Sequence, residues 1–449
     1  MFDLKKNHKI KIQIYTRILP GDNFTGAKVY LLSLLEFLSK AGFEIELIAI
    51  GSSPGGRSPV YKITSKINEY CSLYVRGNII IKIFLFRFVD LSDFFFTPLA
   101  ILFYLIPEFL RQPLILKFDS FFKKNKVFIS KQSKFLKKIT KFDQILYQKE
   151  IKFVKKSLNR FRPDVVIANY VWLADIFDLI PKERKILKVL LAHEVIHKRI
   201  ESALKNKIKM NYSDWNKERE TNLLNKSDII IAIQSEDADE FTKMTSGNHN
   251  RVITVPLAVQ LRLSSINQVS GRCLFVGSGG GKTNIHGLNW FLKNVWPIVL
   301  KSNPETHLHV CGSVCDEVYD KFHNVILKGR VKDLKSEYNC AEVCIAPLLF
   351  GSGLKIKIIE AMSYGRIIVT TTTGAQGLKD IIDKSIIVED SPEVFAKAIL
   401  NILKNKEMRK NLEKHAIDYV KKKLSPETVY MPLIKEINEA LNTKSDNVN

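Results

Sequence analysis

The stretch with the most chemistry in it runs from Pro347 to Gly377, PLLFGSGLKIKIIEAMSYGRIIVTTTTGAQG. An apolar strand ends at Pro347, Gly351 and Gly353 make a loop, and the spacing predicts a helix from about Leu354 to Tyr364. Lys355 and Lys357 stand at the helix start, and Glu360 lies five residues beyond Lys355. A helix start leaves backbone N–H groups without partners and carries partial positive charge. Gly353, Leu354 and Lys355 therefore suit phosphate oxygens, with a lysine completing the charge balance. A carboxylate one turn on suits the hydroxyls of a sugar. The bland alternative is a pair of surface lysines on an ordinary helix.

A second glycine loop, Gly277-Ser278-Gly279-Gly280-Gly281-Lys282-Thr283, also lies between a strand and a helix. It has the look of a nucleotide P-loop but not the spacing, because the glycine required five positions before Gly281 is Val276. A glycine loop opening a helix still suits a diphosphate; a plain strand-to-helix turn is the alternative. Gly26 opens the first helix in the same manner, where it would let backbone approach a diphosphate. His193-Glu194 ends the strand ILKVLLAHE, and His197 follows four residues later. That pair could ligate a metal from one helix face, but no HExxH pattern is present, and no metal is expected.

These residues need elements to position them. Strands and helices alternate nearly throughout, which implies parallel sheets with helices on both faces. The first unit is strand Lys9–Tyr15, helix Ala27–Ser39 and strand Phe43–Ile50; strands near Asp164–Ala168, Ile186–Ala192, Asp228–Ile233 and Arg251–Val255 follow. A polar stretch, Val259–Ser270, reads as a hinge. Beyond it come strand Arg272–Val276, helix Ile285–Lys301 and strands Thr306–Cys311, Asn324–Lys328, Glu342–Ala346 and Arg366–Thr370. From Pro392 to Leu441 the chain is helical, with breaks expected near Ser425-Pro426 and Met431-Pro432. The expectation is two doubly wound domains facing a central cleft, with boundaries at 1–258, 259–424 and a C-terminal helix, 425–449, packing back on the first domain. Such sheets bind ligands at the carboxyl ends of their strands.

Composition narrows the class. With 46% hydrophobic and 26% charged residues among 449, disorder and collagen-like repeats are excluded. Six cysteines are too few for a disulfide scaffold, and we read the pairs Cys311/Cys315 and Cys340/Cys344 as reduced thiols rather than zinc ligands. The start, MFDLKKNHKIKIQIY, lacks an apolar run of signal-peptide length, so a cytosolic compartment is expected. Of the formal charge of +23, about half sits between Arg76 and Arg160, where 18 Lys+Arg face 6 Asp+Glu. No nucleic-acid motif accompanies this charge; apolar residues do, including the 14-residue run Phe94–Pro107, too short to span a bilayer that needs about 20. We favour an anionic membrane surface as its partner, over a merely solvated basic face or nucleic acid.

FGSGLKIKIIEAMSYGRIIVTT followed by TGAQGL resembles the nucleotide-sugar motif of family 4 glycosyltransferases, which have the GT-B fold. Cys273–Lys301, Asn324–Pro347 and ERETNLLNKSDIIIAIQS are similar to further stretches of that family, so the resemblance covers most of the chain outside about Ser58–Asn159. The motif usually carries two glutamates eight positions apart; here the first is Ser352 and the second is Glu360. The resemblance implies that Glu360 contacts the ribose, that Gly353 and Leu354 give backbone donors to the diphosphate, and that a histidine at a strand end, His193, reaches the transferred sugar. The usual phosphate-binding arginine of the first loop falls at Ser278, and the lysine at Lys282 or Thr283; Lys355 is the substitute candidate. The base would lie near Arg330.

The resemblance thus implies transfer of a sugar from a nucleoside diphosphate sugar to a saccharide or lipid-linked saccharide, with retention and without a metal or other cofactor, in bacterial-type cell-surface polysaccharide synthesis on the inner face of the membrane. A nucleotide-sugar epimerase of the same fold and a non-catalytic scaffold, suggested by Ser278 and Ser352, are the alternatives.

Overall fold

The computed structural model describes residues 9–18, 26–50, 60–62, 69–75, 82–83, 86–88, 146, 148–205, 215–263, 267–279, 282–331, 333–351 and 354–446. The apolar run 94–107 and most of the basic region 76–160 lie outside the described residues, as do Ser352 and Gly353.

The strands are β1 (Lys11–Thr16), β2 (Glu44–Ala49), β3 (Val60–Lys62), β4 (Ser72–Val75), β5 (Lys82–Ile83), β6 (Phe86–Phe88), β7 (Val165–Asn169), β8 (Leu187–Ala192), β9 (Ile229–Ala232), β10 (Arg251–Thr254), β11 (Arg272–Val276), β12 (His307–Cys311), β13 (Val325–Gly329), β14 (Val343–Ala346), β15 (Ile368–Thr370) and β16 (Ile386–Val388). The helices are α1 (Gly26–Lys40), α2 (Gln148–Phe161), α3 (Ile196–Lys205), α4 (Lys217–Leu224), α5 (Ser235–Met244), α6 (Lys282–Trp290), α7 (Trp296–Ser302), α8 (Lys335–Cys340), α9 (Ile356–Ser363), α10 (Pro392–Lys404), α11 (Lys406–Lys423) and α12 (Pro426–Asp446).

A seven-stranded sheet has the order β10-β9-β8-β7-β1-β2-β4, a six-stranded sheet the order β13-β12-β11-β14-β15-β16, and β3-β6-β5 form a small antiparallel sheet. Every neighbouring pair in the six-stranded sheet is parallel. Its strands β11 and β14 are apolar runs buried on both faces, as parallel strands covered by helices must be. Strand order reverses between β11 and β14, so the crevice beyond their carboxyl ends is the place where such a fold accepts a ligand. In the seven-stranded sheet the same reversal falls between β1 and β7, where the Asn169 amide donates to Thr16 Oγ1 at 2.9 Å.

The chain forms two compact units, residues 1–24 with 38–190, and residues 25–37 with 191–449. In the second, one apolar core joins Phe275, Phe291, Trp296, Val310, Val343, Val369, Phe395 and Ile399. Two helical expectations are corrected. The helix expected over Ile285–Lys301 is split by a π turn, 291–295, in which Trp296 N–H bonds the Phe291 carbonyl. Pro297 has no N–H to give the Lys293 carbonyl, and its ring crowds that carbonyl; widening one turn relieves both. Conversely, the break expected at Met431-Pro432 is absent, because α12 continues through Pro432. Val429, Tyr430, Leu433 and Ile437 are buried on one face, and this burial outweighs one lost hydrogen bond. The Tyr430 hydroxyl donates to Ser33 on α1, and Glu436 pairs with Arg251 at 2.5 Å, fixing α12 along its length.

Candidate active site at the carboxyl ends of β11 and β14

The loop after β11 is tied down more than its glycines imply. Gly277 N–H donates to the Cys311 carbonyl at 2.9 Å, and Gly279 N–H to Ser313 Oγ at 2.9 Å. Both N–H groups are therefore occupied by the end of β12 and the residues just after it. The Ser278 carbonyl accepts from the Asn284 amide at 3.0 Å. Gly280 and Gly281 lie outside the described residues, and Lys282 is the exposed first residue of α6. Gly287 lets α6 press against the loop after β14: a Cβ there would meet the Pro347 carbonyl oxygen at 2.2 Å. The two loops are thereby held side by side.

Helix α9 begins two residues later than the periodicity suggests. Leu354 is buried and Lys355, extended at φ −92 and ψ 93, is the N-cap residue. Its ammonium donates to Gln376 Oε1 at 3.3 Å. The helix N–H groups lacking intrahelical partners are thus those of Ile356 and Lys357, since Ile358 N–H already bonds the Lys355 carbonyl. Gly26 does not open onto empty space; a Cβ there would lie 2.5 Å from Ile356 Cδ1. Its role in this structure is close packing of α1 against the first residue of α9.

The two lysines face different surroundings. Burial pulls Lys355 down to about 8, while the carboxylates of Glu194 and Asp237 act in the opposite direction. Lys357 donates to Asn284 Oδ1 at 2.6 Å and lies over the Phe275 ring, 4.4 Å from its centroid. Burial, then the neighbouring Lys355 charge, pulls it to about 7. Glu360, one turn on, accepts from the Tyr338 hydroxyl at 3.1 Å and lies 4.0 Å from the Arg262 guanidinium. Burial raises its carboxyl above the ordinary range, against those two partners. Arg330 pairs with Asp316 at 3.6 Å on the exposed surface.

At the end of β8, burial drives His193 down to about 3, so its imidazole is neutral at any ordinary pH; its ring meets Tyr30 edge-on at 5.4 Å. Glu194 pairs with Arg199 at 2.5 Å. His197 belongs to the architecture: Glu220 accepts from the N–H groups of Ile196 and His197, from the His197 ring at 2.9 Å and from the Trp215 indole. Among the described residues no cluster of three His, Cys, Asp or Glu is placed to hold a metal ion, and all six cysteines are free thiols.

Sequence reasoning missed Asp237 and Gln234. Asp237, in the first turn of α5, is buried, and burial lifts its carboxyl to about 6. Gln234 is buried beside Gly377, whose Cβ would approach its Oε1 at 2.6 Å. A Gln-Ser-Glu-Asp helix start carries no local mark of burial, so no sequence signal set them apart. The structure gathers Lys355, Glu194, Asp237 and Gln376 on one side of the start of α9, and Lys357, Asn284 and Glu360 on the other.

The same arrangement of sheets occurs in known proteins. Sucrose-phosphate synthase from Thermosynechococcus elongatus superposes with a TM-score of 0.64 at 12% identity, covering 97% of this chain and 100% of that one. TarM gives 0.64 at 12% identity over 96% and 99% of the two chains, and Anabaena HepE in complex with UDP gives 0.59 at 10% over 96% and 100%. The fold is GT-B. Residues 270–405, the six-stranded sheet and its helices, match the family described as Glycosyl transferases group 1. A Klebsiella pneumoniae protein, an uncharacterized 44.6 kDa protein in the cps region, is 26% identical over 174 residues, 36% of this chain. The match spans 45% of that relative, less than half its length. Together the GT-B fold and the group 1 match support a glycosyltransferase.

Proposed function

We propose that this GT-B protein transfers a sugar from a nucleoside diphosphate sugar to a saccharide or lipid-linked saccharide, with retention, in the synthesis of a cell-surface polysaccharide. One observation carries the reading: at the strand-order reversal of the sheet matched by the group 1 family, a helix start, two half-buried lysines and a carboxylate converge. In the transfer, the bond from the anomeric carbon to the diphosphate breaks with its electron pair, and the acceptor hydroxyl forms the new bond and releases its proton. Charge grows on the departing diphosphate, which the start of α9 and Lys355 stabilise where water is excluded. Glu360 accepts hydrogen bonds from the ribose, and neutral His193 offers a hydrogen bond to the transferred sugar. The donor domain comprises 259–424, and 1–258 binds the acceptor.

Relatives support the substrate classes. Solved structures of the compared proteins hold UDP with alpha-GlcNAc-glycerol in S. aureus TarM, and UDP with glucose in HepE; the Klebsiella relative lies in a cps region. No helix among the described residues is long and apolar enough to cross a membrane. The basic segment 76–160 attaches the protein peripherally to an anionic membrane, which brings it to a lipid-linked acceptor.

Incubation with a panel of nucleoside diphosphate sugars, with product analysis, tests the reading. Nucleotide release with the sugar delivered to water or an acceptor supports it. Conversion of one nucleotide sugar into another with no release would make the protein an epimerase, and nucleotide binding without turnover would make it a scaffold.

A further inference from the structure

This inference rests on that reading, in which Lys355 and the start of α9 meet the diphosphate. On the other side of the crevice the Gly277 and Gly279 N–H groups of the loop after β11 are already bonded. We propose that Lys357 supplies a second cation, meeting the donor's diphosphate between the loops after β11 and β14. Its ammonium reaches from the first turn of α9 to Asn284 on α6, and the same Asn284 holds the Ser278 carbonyl, so the lysine spans the crevice. Its position is set by this chain of bonds rather than by a counter-charge.

The surroundings distinguish it from Lys355. Lys355 feels the carboxylates of Glu194 and Asp237. Lys357 has a neutral amide and the Phe275 ring as its contacts from α6 and β11, and among the described residues no carboxylate is within ion-pair reach of it. The charged groups acting on it are Lys355, which opposes its charge, and Glu360, which favours it and is itself engaged by Tyr338 of α8 and by Arg262. A half-buried ammonium so placed is only partly protonated at neutral pH, where burial has lowered it to about 7. An anion beside it restores the charged form. Donor binding therefore draws a proton onto Lys357, up to about half a proton per site at pH 7. At that pH Lys355, at about 8, is mostly protonated already and adds little.

The test is titration calorimetry at pH 7 with UDP-glucose and GDP-mannose, in two buffers of different protonation enthalpy. The diphosphate of an intact nucleotide sugar has no proton to exchange near this pH. Wild-type protein is expected to take up protons on binding. Lys357→Met should bind about 10- to 100-fold more weakly and without this uptake. Lys357→Arg should recover affinity but not uptake, because a guanidinium is charged throughout. A cooperative melt in both variants establishes that each is folded. Wild-type affinity and uptake in a folded Lys357→Met would overturn the inference, as would the same losses in Lys355→Met alone. If wild-type protein binds neither of these nor any other nucleotide sugar of the panel, the glycosyltransferase reading itself fails and takes this inference with it.

Discussion

The Tyr338 hydroxyl donates to Glu360 Oε2 at 3.1 Å, while its ring stacks 4.8 Å from that of Tyr364. The stacked pair, with Arg262 held on the Tyr364 hydroxyl at 3.3 Å, fixes the carboxylate in one orientation before any ligand arrives.

A carboxylate fixed in this way should matter for nucleotide binding. Glu360→Ala is expected to weaken nucleotide-sugar affinity by about 1.5–3 kcal/mol, the worth of a hydrogen bond to a charged group. Because burial raises the Glu360 pKa, the acceptor form is lost as pH falls through a value above the ordinary carboxylate range. Affinity should therefore decline at milder acidity than a solvated glutamate would allow, and the variant should lack that decline. Calorimetric titration across pH measures both; wild-type affinity in a folded Glu360→Ala would remove Glu360 from the site.

Lys355 should act mainly on turnover. Charge on the leaving diphosphate is greatest in the transition state, so Lys355→Ala is expected to lower kcat more than it raises KM for the donor. Steady-state kinetics decides this. A crippled Lys282→Ala beside a silent Lys355→Ala would assign the phosphate to the loop after β11 and the start of α6 instead.

Glu220 should be structural. It satisfies four donors at the start of α3, two of them backbone N–H groups. Glu220→Ala strands these in a buried setting, at about 1–3 kcal/mol each, so a loss of about 3 kcal/mol or more is expected in denaturant unfolding. If stability is unchanged, the carboxylate is not what holds α3.

Vesicle sedimentation addresses the basic segment 76–160. Binding to anionic vesicles should weaken at high salt without vanishing, because salt screens charge but not apolar contact. Equal binding to neutral and anionic vesicles, or none, would leave a solvated basic surface.

Much of this protein is written locally. The apolar runs RCLFV and VCIA declare buried parallel strands whatever lies around them, and β11 has the bounds that the alternation predicts. Tight loops and helix starts are likewise local, so the Pro347–Gly377 motif marks the carboxyl ends of β14 and β15. Where a proline meets a helix, however, sequence gives only a penalty, and the outcome depends on what the face buries. Pro432 is carried through by Val429, Tyr430, Leu433 and Ile437, whereas Pro297 diverts the preceding turn into a π turn.

The division of labour at the start of α9 belongs to the tertiary structure alone. Two lysines two residues apart look equivalent on paper, as does Asp237 in an ordinary helix start. Burial and long-range neighbours separate them: Lys355 feels carboxylates from just beyond β8 and from α5, and Lys357 meets an amide from α6. A charge's surroundings are a sum over residues distant in sequence, and desolvation depends on packing from every side. The sequence by itself determined the strand, loop and helix start that carry the two lysines; which of them feels the Glu194 and Asp237 carboxylates and which meets the Asn284 amide was decided only when the elements packed.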